Sequence, residues 1–378
     1  MSAIPVKLLS CDTHLEHWGT VLENYIPQKH HPLFEQAPYK IKIHGHTPCY
    51  GDDGVNVAAI GGYRDYWKIR KGTIDIKKDK IPGTYGGPDE YAEWMKIDGI
   101  TAAVLLPGGP TGSVIGVARG TLDRAEYLDV LRGYNNFASD FSKAYPDMFL
   151  GGACIPTTGI DDAIAELQRV SKLPGIRTVA PAAFPNGSAS PQPEDDRFYQ
   201  EAMNLGMPIT MHGGWSSPIG GCKNDQDVAA WIIGHIEVVT GGPYSATQMI
   251  LSGVFDRLPN LRIIVLEAGA GWLPFSMDVM DHFYDRQRHW AGIDLKNPPS
   301  WYCTSGNFLW NVIADRHAIK MRNFIGVDNL SWASDFPHGN SEFPEDRARA
   351  MKLVADCTAE ERNKILWSNA AQFYGLET

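Results

Sequence analysis

The chain has 378 residues, 43% of them hydrophobic, with 11 Trp, 15 Tyr and 14 Phe, which is enough for one large core and excludes a disordered chain. Its 34 Lys and Arg against 44 Asp and Glu leave a net charge of −10, and with no basic patch in view this excludes nucleic-acid and anionic-membrane partners. The scattered Cys11, Cys49, Cys154, Cys222, Cys303 and Cys357 form no C-x-x-C pair, and neither an export signal nor a membrane-length apolar run is visible, so a reducing cytoplasm is expected.

Short apolar runs ending in polar or glycine-rich turns alternate with segments of helical spacing, the pattern of repeated β/α units. The pattern predicts strands over Val6 to Cys11, Thr101 to Leu106, Met148 to Cys154, Gly175 to Val179, Met207 to Met211, Leu261 to Leu266, Trp301 to Thr304 and Leu330 to Ser334. The runs TAAVLL, MPITM, LRIIVL and LSWAS are nearly continuously apolar, as parallel strands buried on both faces should be. Helices are expected over Arg124 to Ala144, Asp161 to Leu173, Arg197 to Leu205 and Ala246 to Leu258. Eight such units predict an α/β fold, a (β/α)8 TIM barrel forming a single domain over 1–378. Residues 15–97, rich in Pro, Gly, Tyr and Trp, are too long for a connection and read as an insertion covering the pocket mouth, with a linker or small separate domain as the alternative.

In such barrels the reactive groups project from the C-terminal ends of strands. Asp12, His14 and Glu16 follow the first run in DTHLE, where a two-residue step on an extended chain puts Asp12 and His14 on one face. His212 follows the fifth run, Glu267 the sixth and Asp335 the eighth. Imidazole nitrogens and carboxylate oxygens suit zinc, manganese or iron, and burying so many carboxylates without a cation carries a heavy desolvation cost. Each residue alone has a plainer reading, a hydrogen-bonded pocket histidine or, for Asp335, a turn ahead of Pro337. Their shared strand-end position favours a metal. Glu16, His17, His235, Glu237 and His338 are candidates for hydrogen-bonding support or for a second metal. His30, His31, His44 and His46 read as solvent-facing or rim residues, and Gly108 to Gly116 matches neither a P-loop nor a dinucleotide fingerprint. Arg64, Arg70, Trp94, Trp215 and Trp272 are candidates for lining a substrate pocket.

With DTH, HGG, SGVFDRLPNLRIIVLEAGAGWLP, YCTSGNF and WASDFPH, the chain resembles the amidohydrolase superfamily over nearly its whole length. The branch it resembles is the amidohydrolase-related one, with the aminocarboxymuconate semialdehyde and γ-resorcylate-type decarboxylases. The resemblance implies that Asp12 and His14 occupy the paired ligand sites on the first strand, His212 the ligand site on the fifth and Asp335 that on the eighth. Glu267 stands where decarboxylases usually carry a catalytic histidine, and Asp12 where many members have histidine. The stretch Arg177 to Ala180 offers no lysine, which argues against a carbamylated lysine bridging two metals. One divalent ion, zinc or manganese, is therefore expected, with iron and a dinuclear centre left open.

Four functions follow as alternatives. Metal-assisted hydrolysis, with Asp335 or Glu267 taking a proton from activated water, is placed first because Glu267 adds a base and removes an imidazole. Nonoxidative decarboxylation, with Asp335 protonating the ring carbon, comes next, followed by a dinuclear iron or manganese oxygenase and a noncatalytic metal-binding subunit. The expected partner is a small molecule, and the resemblance implies a homo-oligomer, with a hetero-oligomer open.

Overall fold

The computed structural model describes residues 6–15, 20–33, 86–215 and 228–376. Strands β1 (Leu9–Leu15), β2 (Ala102–Pro107), β3 (Phe149–Ile155), β4 (Ile176–Pro181), β5 (Ile209–His212), β6 (Ile263–Leu266), β7 (Phe308–Val312) and β8 (Leu330–Trp332) lie side by side in chain order, each parallel to the next. The sheet curls into a nearly closed barrel. Beyond β8 the chain returns to β1: the Phe336 carbonyl accepts from His14 N at 2.7 Å, and Asp335 N donates to the Asp12 carbonyl at 3.0 Å.

Alternate strand residues separate two cores. Ala103, Leu105, Ile209, Met211, Ile263, Val265, Phe308 and Trp310 pack outward under the helices. Leu9, Cys11, Val104, Leu106, Leu150, Ile264, Leu266 and Leu309 fill the lumen together with Trp367, Ala370, Phe373 and Tyr374. The C-terminal residues thus close the end of the barrel at which the strands begin, and Lys7, two residues before β1, sits 4.7 Å from the Trp367 ring centroid. The opposite end is left for the polar strand ends. Helices α1 (Pro88–Ile97), α2 (Gly109–Thr121), α3 (Arg124–Ser142), α4 (Ile160–Val170), α5 (Asp195–Asn204), α6 (Val228–Leu251) and α7 (Leu273–Ala291) supply most of the outer layer.

Two expectations require correction. The seventh strand is not Trp301 to Thr304: those residues belong to helix α8 (Pro299–Thr304), started by the preset φ of Pro299 at its first turn, and the strand is Phe308–Val312. The two are tied where Trp310 Nε1 donates to the Cys303 carbonyl at 2.9 Å. The helix expected over Ala246 to Leu258 begins at Val228 and ends at Leu251, because Gly253, at φ 72°, breaks it before the single turn Val254–Arg257. Of the 15–97 insertion, Leu15, 20–33 and 86–97 are described. Its last part, α1, buries Tyr91, Trp94 and Met95, and the Tyr91 hydroxyl donates to the His14 carbonyl at 3.2 Å.

A buried acid pair fastens α1 to the start of α9 (Asp346–Leu353). Asp98 Oδ1 accepts from Asp346 N at 2.8 Å, and the Asp346 carboxylate accepts from Ser341 Oγ at 2.5 Å and Glu342 N at 2.9 Å. Asp98 Oδ2 is buried without a hydrogen-bond partner. Burial, then the neighbouring Asp346 charge, pushes Asp98 up to about 8. A carboxyl raised on folding stabilises the fold fully below its unfolded pKa, and that contribution is lost as pH rises through the folded value. The urea midpoint should therefore fall from about pH 5 to about pH 9, and Asp98→Asn should flatten that slope. Equal slopes for the two proteins would show that the pair shares no proton.

Candidate metal centre

Each polar strand end is placed by its own piece of backbone. Asp12 and His14 lie within β1, not after it, and alternate so that both reach the barrel mouth. His212 is the last residue of β5. Glu267 and Asp335, just beyond β6 and β8, are the described non-glycine residues with positive φ, 57° and 59°. Such conformations cost about 1–3 kcal/mol each and persist only when neighbours enforce them.

The side chains converge. His14 Nε2 lies 3.2 Å from Asp12 Oδ1 and 3.1 Å from Asp335 Oδ1, while His212 Nε2 lies 3.4 Å from Asp12 Oδ1 and 3.7 Å from Glu267 Oε2. Yet both Asp12 oxygens, His14 Nε2 and His212 Nε2 are buried without a properly directed hydrogen bond. They face a common point instead of one another. Unpartnered buried polar atoms of this kind are costly, and a cation at that point would satisfy all four. One ligand atom from each of Asp12, His14, His212 and Glu267 falls within 4.8 Å of the others, and His14, Glu267, Asp335 and His338 form an overlapping second group by the same measure. The donor set, imidazole nitrogen and carboxylate oxygen, fits a divalent zinc, manganese or iron ion.

The electrostatics divide the carboxyls. Burial alone would raise Asp12, but the charges of His212 and His14 hold it well below the carboxylate range. Asp335 is similarly buried, and His338 and His14 bring it down to about 2. Glu267 moves the other way: burial raises it, and the pull of His212 is opposed by Asp335 and Asp12. Burial and the His338 charge depress His14, but Asp12 and Asp335 overcome them and lift it to about 10. Burial likewise depresses His212, and Glu267 and Asp12 raise it on balance.

A supporting layer holds the donors. His14 Nδ1 faces the Pro107 carbonyl at 3.2 Å, which fixes the N–H there and leaves Nε2 for an ion. His338 Nδ1 is 2.9 Å from Asp335 Oδ1, its ring stacks on His14 at 3.9 Å, and Asn340 Nδ2 donates to Asp335 Oδ2 at 3.1 Å. Ser10 Oγ donates to the Asp12 carbonyl at 2.8 Å and accepts from Ser334 N at 3.0 Å, locking β1 to the β8 exit. Asp315 Oδ2 accepts from Ala270 N and Gly271 N at 2.8 and 2.7 Å, pinning the turn behind Glu267. After His212, the turn at Gly214, φ 99°, presses so closely on Gly241 of α6 that a β-carbon would overlap its carbonyl. Asn340, Asp315 and Pro107 were not singled out in the sequence. Asp315 and Asn340 are strand-exit polar residues like the others, but they support the site through geometry that only the fold supplies.

Each of the tryptophans expected at the pocket packs against other aromatic rings. Trp94 packs on Tyr91 and Phe336, and Trp272 packs edge-on against Trp310 and donates to the Ala268 and Gly269 carbonyls. Trp215 is buried between Phe184 and Tyr199, its Nε1 without a partner. Glu16, His17, His44, His46, Arg64 and Arg70 lie outside the described residues, as do the side chains of His235 and Glu237 on α6. His30 is buried rather than solvent-facing, with Nε2 unpartnered, and His31 Nε2 is 3.0 Å from the Ile26 carbonyl.

A parallel eight-stranded barrel carrying a His and carboxylate cluster at the C-terminal ends of its strands defines a divalent-metal-binding barrel enzyme. Residues 84–376 match the model of the amidohydrolase family, and the chain belongs to that family. It is 25% identical over 330 residues to γ-resorcylate decarboxylase of Rhizobium radiobacter, covering 83% of this chain and 91% of the relative. It is 26% identical over 261 residues to 2-amino-3-carboxymuconate-6-semialdehyde decarboxylase of Dictyostelium discoideum, covering 68% and 67%. The fold is shared with 5-carboxyvanillate decarboxylase from Sphingomonas paucimobilis, with TM-score 0.66, 17% identity and coverage of 99% and 100%. It is also shared with a dihydroxybenzoic acid decarboxylase from Polaromonas containing manganese and 2-nitroresorcinol, with TM-score 0.63, 19% identity and coverage of 98% and 97%. The chain is thus similar to decarboxylases over most of its length.

Because the neighbouring carboxylates raise His14 and His212 against their burial, an ion bound to their Nε2 atoms should displace protons, and its affinity should fall as pH falls. Chelator competition from about pH 6 to pH 9 should show this rise in affinity, and a flat profile would remove the histidines from the ligand set. Asn340→Ala should weaken binding by about 10- to 100-fold with the fold intact.

Proposed function

We propose that this protein is a divalent-metal-dependent, nonoxidative decarboxylase of a small aromatic or unsaturated cyclic carboxylic acid. The observation that carries the reading is the convergence of Asp12, His14, His212 and Glu267 within 4.8 Å of one another at the barrel mouth, in a chain similar to decarboxylases over most of its length. There burial raises Glu267, whereas His338 and His14 hold Asp335 down against its own burial. A raised glutamate can serve as acid or base, and hydrolysis, placed first on sequence, uses it as a base. The similarity to decarboxylases over four-fifths of the chain supports the acid role instead.

In this reading Asp12, His14, His212 and Asp335 hold one zinc- or manganese-type ion. Bound there, the ion would orient the substrate carboxylate and an adjacent ring oxygen and withdraw charge from them. Asp335, fixed by His338 and Asn340, stays ionised as a ligand rather than protonating the ring. Glu267 gives its proton to the ring carbon that bears the carboxylate. A C–H bond forms, the bond to the carboxylate carbon breaks with its electron pair returning to the ring, and CO2 leaves. Glu267 then regains a proton from solvent, so each turnover consumes one proton.

Glu267→Gln should therefore keep the ion while lowering kcat for CO2 release from hydroxybenzoates or carboxymuconate-type acids by about 100-fold or more. Asp335→Asn should lose the ion. Ester or amide hydrolysis without CO2 release would overturn the assignment.

The overlap of two ligand groups that share His14 and Glu267 favours a second reading, a dinuclear oxygenase in which Asp12, His14, His212, Glu267, Asp335 and His338 together would hold two redox-active ions. Elemental analysis separates the two: one zinc or manganese per chain supports the decarboxylase, and two irons, or iron with manganese, support the oxygenase.

A further inference from the structure

The loop leaving β8 carries both side chains that brace Asp335, and the buried pair Asp98–Asp346 holds its far end. His338 N donates to the Asp335 carbonyl at 2.8 Å, Ser341 N donates to the His338 carbonyl at 3.0 Å, and the Ser341 hydroxyl donates to the Asp346 carboxylate at 2.5 Å. Glu342 N donates to the same carboxylate at 2.9 Å, and Arg349 of α9 donates to the Asn340 carbonyl. Asp346 is joined in turn to the end of α1, where its N–H donates to Asp98 Oδ1 at 2.8 Å. A continuous path of hydrogen bonds therefore runs from Asp98 to Asp335.

The partners of each oxygen show where a proton belongs on this path. Both Asp346 oxygens accept from loop donors, Oδ2 from Ser341 and Oδ1 from Glu342, which suits an anion. Asp98 Oδ2 is buried with no donor directed at it, and the neighbour that acts on it is the Asp346 carboxylate. A proton on Asp98 turns that contact into a hydrogen bond, whereas two ionised carboxylates in contact repel. The charged groups around the pair do not replace this proton. Arg347 directs its guanidinium at the Val6 and Gly99 carbonyls, and Arg349, which lowers Asp346, is bonded to Asn340. Lys7 lies over the Trp367 ring, and Lys96, Glu342 and Glu345 are exposed. A pocket of about 370 Å³ lined by Asp98, Gly99, Arg347 and Met351 adjoins the pair and gives solvent a route to it.

We propose that Asp98 and Asp346 are positioning residues for the metal centre: sharing one proton, they hold the β8 exit loop so that His338 and Asn340 keep Asp335 aimed at the ion, and loss of that proton at alkaline pH slackens the loop. The proposal rests on the reading of Asp335 as a metal ligand.

Zinc affinity of the full chain, measured by chelator competition at pH 7 and pH 9, tests it. Asp98→Asn keeps the bonding of the protonated acid at every pH, because a carboxamide donates to Asp346 and accepts from its N–H. The ratio of its affinity to that of the unaltered chain cancels the pH dependence of the histidine ligands. With Asp98 pushed up to about 8, about nine-tenths of the pair holds its proton at pH 7 and about one-tenth at pH 9. The ratio should be near one at pH 7 and rise to about 5- to 10-fold at pH 9. A ratio that is the same at both pH values overturns the proposal.

Hydrogen exchange on the metal-free chain separates this idea from the metal reading. At pH 9 the amides of His338, Ser341 and Phe343 should exchange about 5- to 10-fold faster in the unaltered chain than in D98N, and at pH 7 equally fast. Amides of β5, which does not touch the loop, should not differ, as they would if the substitution acted only on overall stability. Should Asp335→Asn bind zinc as well as the unaltered chain, the metal reading falls, and the exchange contrast alone decides whether the pair holds the loop. Equal exchange of the loop amides at pH 9 overturns the proposal.

Discussion

The structure depends on gathering carboxylates where water has been largely removed. Asp12 and Asp335 are buried at the mouth of the barrel and Glu267 stands beside them. Charges so placed lose hydration that only opposite charge or directed hydrogen bonds can replace. His14 and His212 approach within ion-pair distance, yet their Nε2 atoms and both Asp12 oxygens remain without a properly directed hydrogen bond. A cation placed among these donors would supply the charge that hydrogen bonds do not.

That arrangement explains features distant from the donors themselves. The strand ladder is joined across the β1–β8 seam by Ser10 and Ser334, beneath Asp12 and Asp335. The two positive-φ carboxylates are each braced: Asp315 holds the turn after Glu267, and His338 with Asn340 holds the carboxylate of Asp335. Where strain is stored, hydrogen bonds from the following loop restrain it. The acid pair Asp98–Asp346 then ties that loop to α1, linking the segment after Asp335 to the element that enters β2.

Much of this was legible in the sequence because the barrel repeats one local code. An apolar run followed by a polar residue marks a strand and its end, and HGG, LEAG and WASD keep that order, whereas Asp12 and His14 of DTH lie inside a first strand longer than its apolar run. The code failed at the seventh strand: the short aromatic run WYCT is drawn into a helix by Pro298–Pro299, and the more apolar FLWNV that follows forms the strand. Residue type places Trp94, Trp215 and Trp272 as pocket lining, with barrel-rim packing an equal reading for Trp272, and the ring contacts of Trp94 and Trp272 with Phe336 and Trp310 are those of packing residues. Asn340 and Asp315 escaped notice because their role is defined by which carboxylate or amide they reach, and that is fixed only by tertiary geometry. The raised Glu267 and lowered Asp335 are likewise indistinguishable as letters; their environments separate them.

Charge balance connects the number of ions to the work Glu267 can do. In the proposed one-ion centre, the carboxylates of Asp12 and Asp335 would match the charge of one divalent ion, taking over the balance that charged histidines supply in its absence. Glu267, raised by burial and by Asp335 and Asp12 against the pull of His212, is the carboxyl of the cluster on which the proposed decarboxylation would draw for its proton. With a second ion drawn to His338 and Asp335, that proton would be displaced and Glu267 would become a ligand with nothing to donate. The replacement of an imidazole by a carboxylate at this strand end is therefore not neutral to mechanism. It makes metal occupancy the variable that determines whether the same cluster acts as a proton donor to carbon or as the cradle of a two-metal centre.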